Sequence, residues 1–362
     1  MRIKLKLISE QAVVVFGASS GIGRQTALDF AKRGAKVCIA ARSEAGLYSL
    51  VEEIYEIKRK YQNNCEAFAV VAEAADFDQV RAVAEATVEQ FGRIDTWVHS
   101  AATFLFASFE RIEPEEFRRL IEVNLLGQVH GAMAALPHLR EKGGALIHVS
   151  SVEAWRTMPF QSAYGASKHG VKGFLQALRV ELAHDKIPVV VTEIEPGPIN
   201  TPLYEKGRNK MPFRPCPVPP IYQPNVVSDA ILYAAENPTR NIVAGSSGLS
   251  VVLSERLSPK LTDFLISLVG FTAQNSGLKA PAEMPDALFE PVEEYNTVEG
   301  RFSSESFSFD PYTFLMIRKI PRGALLLALG GAVGGFLANR ALKQKTVKNH
   351  QATKSTTPNE SL

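Results

Sequence analysis

The stretch Ala12-Val13-Val14-Val15-Phe16-Gly17-Ala18-Ser19-Ser20-Gly21-Ile22-Gly23 decides the fold of this chain. Its first five residues are apolar, which is typical of a strand buried on both faces of a parallel sheet. The glycines that follow suit a tight turn, because a glycine tolerates a positive φ and lets backbone approach a ligand closely. A helix that starts there offers free N–H groups and a partial positive charge to a pyrophosphate. The stretch predicts that a phosphate group binds at Gly17, Ser19, Ser20, Gly21, Ile22 and Gly23, and the alternative is a tight turn without a ligand.

Downstream of this turn, short apolar runs alternate with longer amphipathic stretches. The predicted strands are 12–16, 36–41, 65–71, 94–99, 144–150, 187–194 and 241–244. The predicted helices between them are 22–34, 44–62, 77–91, 114–139, 161–184 and 225–236. Such alternation is typical of a doubly wound parallel sheet with right-handed crossovers. We therefore expect a seven-stranded, Rossmann-like α/β fold followed by a C-terminal helical extension.

The composition excludes several classes of protein. The chain has 362 residues, of which 46% are hydrophobic and 22% are charged, and its net charge is +2. These values exclude a wholly disordered chain and a collagen-like repeat, and they give no reason to expect a nucleic-acid partner. The three cysteines are isolated, so we expect no metal site and a reducing compartment such as the cytoplasm for the folded domain.

The end of the second predicted strand bears on the type of nucleotide. An acidic residue at this tip would bind the ribose 2′-hydroxyl of NAD, whereas an arginine accommodates the 2′-phosphate of NADP. The sequence has no acid here, and Arg42 follows the strand directly. Arg42 therefore favours NADP(H) over NAD(H), and the alternative is that it is a solvated loop residue.

A second constellation carries acid–base chemistry. Tyr164 and Lys168 are four residues apart in a predicted helix, so they share one face. An ammonium group beside a phenol favours the phenolate, which predicts a lowered pKa for Tyr164 and a role as general acid or base. Ser151 ends the fifth strand, where its hydroxyl could contact the same substrate oxygen.

The order and spacing of these motifs, together with Asn124 and the stretch 196–201, resemble the short-chain dehydrogenase/reductase family over about residues 8–250. The resemblance implies that Asn124, Ser151, Tyr164 and Lys168 are catalytic. It implies that Tyr164 exchanges the proton, Ser151 holds the substrate oxygen, and Asn124 fixes a water that links Lys168 to solvent. Further cofactor contacts implied by the resemblance are Ser100, Ala101, Tyr164, Lys168, Pro196, Gly197, Ile199 and Thr201.

Two stretches depart from the family pattern. After the fourth strand the family has Asn-Asn-Ala-Gly, and this chain has His99-Ser100-Ala101-Ala102, in which His99 and Ser100 can still hydrogen-bond the backbone. Near the third strand the family favours Asp, and the matching stretch begins with Glu73. Both changes affect the fit of the cofactor rather than the reaction type.

The resemblance implies an enzyme that interconverts a carbonyl and a secondary alcohol. The alternative is a non-catalytic NADP-binding protein that is recruited to a membrane or a partner through its C-terminal region. Seven prolines in residues 202–224 predict a lid or binding loop over the sheet edge, or else a surface linker. Apolar residues in that stretch suggest a small, hydrophobic substrate.

The sequence divides into five parts with different compositions. We expect a catalytic domain at 1–250, a helical extension at 251–279, a loosely ordered acidic connector at 280–320, an apolar glycine-rich helix at 321–340 and a basic tail at 341–362. Residues 323–339 contain no ionisable group and are near the lower length limit for a membrane span. This segment predicts a membrane anchor, and the alternative is a helix that packs on the domain or on a second subunit of a homo-oligomer. The apolar segment 261–271 predicts a packed helix or a membrane-surface contact.

Overall fold

The structure is a computed structural model, and it describes residues 3–318 of the chain. The strands are β1 (Ala12–Phe16), β2 (Lys36–Ala41), β3 (Glu66–Val71), β4 (Thr96–His99), β5 (Leu105–Phe106), β6 (Gly144–Val149), β7 (Val189–Pro196), β8 (Arg208–Asn209), β9 (Phe213–Pro215), β10 (Ile221–Tyr222), β11 (Asn241–Ala244), β12 (Asn275–Lys279) and β13 (Ser306–Phe307). The helices are α1 (Gly21–Lys32), α2 (Glu44–Tyr61), α3 (Phe77–Phe91), α4 (Pro114–Ile121), α5 (Gly127–Leu139), α6 (Ser162–His184), α7 (Leu203–Lys206), α8 (Pro224–Glu236), α9 (Ser246–Leu257), α10 (Pro259–Ala273) and α11 (Pro311–Met316).

Seven parallel strands form the central sheet, in the order β11-β7-β6-β4-β1-β2-β3. This confirms the predicted doubly wound architecture. The chain runs outward from β1 through β2 to β3 and then returns to place β4 on the other side of β1. The carboxyl ends of β1 and β4 therefore flank the point where the strand order reverses, which is where open α/β sheets bind their ligands.

The core consists of the two faces of this sheet and the helices that cover them. Every residue of β1 is buried, and its side chains alternate between two apolar clusters on opposite sides of the sheet. The helix starts follow local capping chemistry. Ser43 accepts a hydrogen bond from the Gly46 amide at the start of α2, and Asp76 accepts one from the Gln79 amide at the start of α3.

The region beyond β11 packs against the sheet edge rather than forming a separate layer. Helices α9 and α10 follow β11, and β12 pairs with β9 of the proline-rich stretch. Within residues 3–318, no helix is both long and apolar enough to cross a membrane. The predicted anchor at 323–339 and the basic tail at 341–362 lie outside the described residues. The domain boundaries drawn from the sequence remain predictions.

Candidate active site

A cavity of about 530 Å³ lies at the carboxyl edge of the sheet. The residues that line it include almost every predicted site residue, namely Gly17, Ser19, Ser20, Gly21, Ile22, Arg42, Ser100, Ala101, Ser151, Tyr164, Lys168, Pro196, Gly197, Ile199 and Thr201. Gly23 and Asn124 are the predicted residues that do not line it. We call the part beside the glycine turn the nucleotide end, and the part beyond Tyr164, walled by α10 and residues 202–220, the substrate end.

Tyr164 and Lys168 lie one helical turn apart on α6, on the face that points to the end of β6. The Lys168 Nζ is 5.4 Å from the centroid of the Tyr164 ring and donates a hydrogen bond of 3.2 Å to the Val149 carbonyl. Ser151 lies two residues beyond the end of β6, and its hydroxyl lies close enough to the Tyr164 phenol for hydrogen bonding to lower the pKa of that phenol. Lys168 is 1% exposed and Tyr164 is 9% exposed, so their charges act in a poorly hydrated environment.

Burial shifts the pKa values of both groups. It lowers the pKa of Lys168 to about 8, although Glu193 and Glu153 oppose this shift. The pKa of Tyr164 is raised, first by burial and then by the carboxyl of Glu153, while the hydrogen bond with Ser151 lowers it. The sequence predicts a lowered pKa for Tyr164, and this prediction is wrong, because the pKa in the structure is raised. Spacing along a helix shows that an ammonium group is near, but it does not show how dry the site is.

Asn124 is fully buried in a π-helical turn, Glu122–Leu126, between α4 and α5. Its side-chain oxygen accepts a hydrogen bond of 2.7 Å from the Thr103 amide, and its side-chain nitrogen donates one of 2.9 Å to the Thr103 carbonyl. Thr103 itself lines the cavity. Asn124 therefore holds the loop after β4 in place from behind the cavity wall, and π turns of this kind occur frequently at functional sites.

The glycine turn is shaped to admit a ligand against bare backbone. Gly17 has a φ of +87°, and a Cβ there would lie 2.4 Å from the Ala101 amide nitrogen. Gly21 begins α1 with a φ of +57°. A Cβ on Gly23 would lie 2.1 Å from the Gly17 carbonyl oxygen, so this glycine lets the turn close on itself. The turn therefore leaves bare backbone at the start of α1, which is the feature from which the sequence predicts a pyrophosphate site.

Residues 286–300, which we call the strap, cross the nucleotide end of the cavity. The sequence predicts a loosely ordered connector here, whereas in the structure the strap is bonded to the glycine turn and to the tip of β2. The Gly21 amide donates a hydrogen bond of 2.9 Å to the Thr297 carbonyl. Leu288 is fully buried. The cavity remains open beneath the strap, because Ala287, Pro291 and Val292 form part of its wall.

Side chains at the tip of β2 hold the strap. The Ser43 hydroxyl donates to the Glu293 carboxylate at 2.6 Å and accepts from the Asn296 amide at 3.1 Å. The Lys206 Nζ donates to the Asn296 side-chain oxygen at 3.0 Å. The acidic residues of the strap, which suggest a solvated connector, therefore include Glu293, which bonds the folded domain.

Arg42 lies where the strap meets the cavity wall. Its guanidinium donates to the carbonyls of Ala287 at 2.7 Å and Phe289 at 2.9 Å, and it lies 3.4 Å from the Glu73 carboxylate. Glu73 also bonds Arg119. Two guanidinium groups thus share the Glu73 carboxylate, and the strap brings the carboxylates of Glu290 and Glu293 to the same tip.

The altered stretch after β4 behaves differently at its two ends. The Ser100 amide donates to the Phe16 carbonyl at 2.8 Å, a main-chain bond that any residue would make, so the predicted bond of the Ser100 side chain stays a prediction. His99 is fully buried and stacks on the Phe16 ring at a centroid distance of 5.0 Å. Neither of its ring nitrogens has a hydrogen-bond partner among residues 3–318, so the predicted backbone bond of the His99 side chain is not formed. Burial lowers its pKa well below the usual value, and the imidazole is neutral.

The cavity also contains residues that the sequence motifs do not indicate. Glu153, Tyr204 and Lys206 line it together with the strap. Glu153 could have been noticed as a lone acid two residues after Ser151 in an otherwise apolar stretch. The strap gives no such signal, because its place beside the glycine turn depends on tertiary packing across more than two-thirds of the chain.

Comparisons with known proteins agree with this geometry. A family model described as short chain dehydrogenase matches residues 11–212. The uncharacterized oxidoreductase YxnA of Bacillus subtilis (strain 168) is 34% identical over 334 residues, which cover 91% of each chain. The 11-beta-hydroxysteroid dehydrogenase 1A of Arabidopsis thaliana is 36% identical over 194 residues, which cover 53% of each chain. A solved structure with a similar fold is that of an alcohol dehydrogenase from the archaeon Thermococcus sibiricus complexed with 5-hydroxy-NADP. Its comparison with this chain gives a TM-score of 0.55 and 23% identity, and the match covers 64% of this chain and 94% of that one.

Proposed function

Since this chain belongs to the short chain dehydrogenase family of oxidoreductases, we propose that it interconverts a carbonyl compound and a secondary alcohol with NADP(H) as the cofactor. One observation carries the proposal. Tyr164, Ser151 and Lys168 converge on the same cavity as the glycine turn, so a reacting group and a nucleotide would lie in a single enclosed space. The residues at the glycine turn fit a dinucleotide, whose nicotinamide supplies or accepts the hydride.

In the reduction direction, the Tyr164 hydroxyl gives its proton to the carbonyl oxygen of the substrate. Ser151 donates a hydrogen bond to the same oxygen and holds it beside Tyr164. Lys168 keeps its positive charge close to the phenol, and this charge stabilises the phenolate that forms when the proton leaves. Oxidation of the alcohol uses the same groups in reverse, with Tyr164 as the base.

Asn124 acts on this site indirectly, by positioning Thr103. It pins both backbone groups of Thr103 on the cavity wall, at 2.7 and 2.9 Å. The water link between Lys168 and solvent that the family resemblance implies remains part of the proposal. The wall where the nicotinamide ring would lie is formed by the last residue of β7 and the residues after it, namely Pro196, Gly197, Ile199 and Thr201.

The preference for NADP(H) is supported by the cationic side chains at the tip of β2. Arg42 lines the cavity there, Arg119 lies behind it, and Lys206 approaches from the other side of the strap. A guanidinium group matches the geometry of a phosphate. Because Arg42 also donates to two strap carbonyls, the 2′-phosphate would share this residue with the strap rather than have it alone.

The substrate end supports a small, hydrophobic carbonyl compound. Its wall is largely apolar and includes Leu203, Val218 and Ile266. Attachment to a membrane through 323–339 and assembly into a homo-oligomer remain predictions from the sequence. Fractionation of cells that express the full chain or a chain ended before Pro321 tests the anchor.

The experiment that tests the proposed function is a turnover screen. The full-length protein is incubated with NADPH and a panel of aliphatic, cyclic and aromatic ketones and aldehydes, and oxidation of NADPH is followed together with alcohol formation. We expect turnover of apolar members of the panel. Tight binding of NADPH without turnover of any member would instead favour the non-catalytic NADP-binding protein.

A further inference from the structure

Glu153 is a buried acid that the proposed reaction does not use. It lies in the single turn Val152–Ala154 that follows Ser151, is 8% exposed and lines the cavity. Its backbone amide donates to the Ser151 hydroxyl oxygen at 3.1 Å, which places it directly beside the reacting groups. Its side-chain Oε2 is buried and has no hydrogen-bond partner among residues 3–318. A buried carboxyl oxygen without a partner costs about 1–3 kcal/mol, so its retention requires an explanation.

The side chains around the substrate end are mostly apolar, unlike the Oε2 atom of Glu153. Apolar side chains make up most of the substrate end, and they include Met158, Leu203, Val218, Ile266, Val269 and Ala273. Glu153 Oε2 shares its lack of a hydrogen-bond partner among residues 3–318 with the Ser150 and Ser247 hydroxyls of the cavity wall, whereas other polar side chains there are already paired. Gln161 donates to the Gln274 side chain at 2.6 Å, and the Thr262 hydroxyl donates to the Ser258 carbonyl at 3.1 Å. Glu153 therefore offers an unused polar contact within an apolar space.

The charges around Glu153 favour a neutral partner over a cation. Burial raises the pKa of its carboxyl to about 8, while the Met158 amide and Lys168 act in the opposite direction. Lys168 is itself a buried cation near this carboxyl, and Tyr164 and Tyr204 are the other titratable groups that face it. Arg156 also lines the cavity, although Glu255 and Asp263 pair with it. A protonated carboxyl can both donate and accept a hydrogen bond, which matches a hydroxyl group.

We propose that Glu153 determines substrate specificity by binding a hydroxyl group of an otherwise apolar carbonyl substrate, so that the physiological substrates are hydroxylated ketones or the corresponding diols. This proposal rests on the proposed function, since it assigns the substrate class of the same site. The carbonyl oxygen lies between Ser151 and Tyr164, and the second oxygen of the substrate satisfies the free oxygen of Glu153. A substrate without that hydroxyl leaves the carboxyl oxygen unpaired and is bound less well.

The first test compares cyclohexanone with its 2-, 3- and 4-hydroxy derivatives as probes. In the wild-type enzyme with NADPH, we expect kcat/KM for at least one hydroxy derivative to exceed that for cyclohexanone by about tenfold or more. Glu153→Leu should remove this preference, and Glu153→Gln, which keeps a donor and an acceptor, should retain part of it. Glu110→Leu is the matched control, because it makes the same change at an exposed acid that does not line the cavity and should leave the preference intact.

The second test measures binding, so it does not depend on turnover. The Tyr164→Phe variant is saturated with NADP, and the affinities of the same four probes are measured by calorimetry with and without Glu153→Leu. We expect a hydroxy derivative to bind about tenfold more tightly than cyclohexanone only where Glu153 is present. Equal affinities for all four probes, or a preference that survives Glu153→Leu, would overturn the proposal. Failure of the proposed function is distinct from this result, since it would appear as absent turnover with the binding preference unchanged.

Discussion

The two ends of the cavity are built in different ways. At the substrate end, Tyr164 and Lys168 stand one turn apart on α6, and Ser151 lies two residues beyond β6 beside the phenol. At the nucleotide end, the glycine turn and the tip of β2 meet the strap, which arrives from more than 240 residues further along the chain. Both ends open into one space, but only the proposed proton-transfer residues lie wholly within the part of the chain that the family model matches, since both α10 and the strap lie beyond it.

The proton-transfer residues are therefore preformed, whereas the nucleotide end depends on the position of the strap. Tyr164, Ser151 and Lys168 are fixed by a helix, a strand end and burial, so a loss of the strap should leave their arrangement intact. The groups that we propose bind phosphate already have hydrogen-bond partners, since the Gly21 amide and Arg42 donate to strap carbonyls. We therefore expect chemistry and cofactor retention to respond to different substitutions.

The largest effect should come from Tyr164→Phe, which keeps the ring and removes the titrating oxygen. Loss of one general acid typically costs ~10²–10⁴-fold in rate, and kcat for carbonyl reduction should fall by that factor. Binding of NADPH, followed by its fluorescence, should be retained. Tyr204→Phe is the control, because it removes another buried phenol from the same cavity and should change kcat far less. Near-full activity of Tyr164→Phe would exclude this residue as the acid.

Loosening the strap should accelerate loss of the cofactor. The double variant Glu293→Ala with Asn296→Ala removes the side-chain contacts to Ser43 and Lys206. If the strap closes over the nucleotide, the NADPH dissociation rate should rise by about ten- to thirtyfold, as expected for a few hydrogen bonds. Stopped-flow displacement measures this rate, and Glu294→Ala, an exposed strap residue, is the control of equal charge loss. An unchanged dissociation rate with faster association would show instead that the strap competes with the nucleotide.

Arg42→Ala should reduce the difference between the affinities for NADPH and NADH at the nucleotide end. Removal of a charge-assisted hydrogen bond to a 2′-phosphate should weaken NADPH binding by about tenfold and NADH binding by less. Dissociation constants of both cofactors for both proteins measure this difference. Equal affinity of the wild-type protein for NADPH and NADH would contradict the assignment of Arg42 to the phosphate.

The smallest effect concerns pH. Burial lowers the pKa of Lys168 to about 8. As the pH rises through this value, Lys168 loses the charge that stabilises the phenolate, and kcat for reduction should fall to about half near pH 8. Ionisation of Glu153, whose pKa burial raises to about 8, acts in the same direction because its charge opposes the phenolate. A rate that stays level from neutral to strongly alkaline pH would contradict this account.

The sequence predicts the sheet and the positions of Ser151, Tyr164 and Lys168 well for a physical reason. Buried parallel strands need continuous apolar runs such as Val13–Phe16, and helix starts need capping residues such as Asp76, so both leave local marks. The residues of the proton-transfer site lie at the ends of these elements. Their positions therefore follow once the elements are assigned.

The nucleotide end is less predictable, because its contacts involve backbone carbonyls and depend on tertiary packing. Thr297 and Phe289 contribute carbonyl oxygens that any residue could supply, so their side chains carry no signal. The raised pKa of Tyr164 escapes sequence analysis for a similar reason. Its first cause is burial, and its second is Glu153, whose position beside the phenol depends on the turn after β6.

The most direct test of the central claim follows the hydride itself. The wild-type enzyme is given a ketone that it reduces and NADPH that carries deuterium in place of the transferable hydrogens of the nicotinamide, and the alcohol is examined by mass spectrometry and NMR. The account predicts one deuterium per product molecule, bonded to the former carbonyl carbon, and no such product from Tyr164→Phe at comparable times. Oxidation of the cofactor without deuterium at that carbon would contradict it.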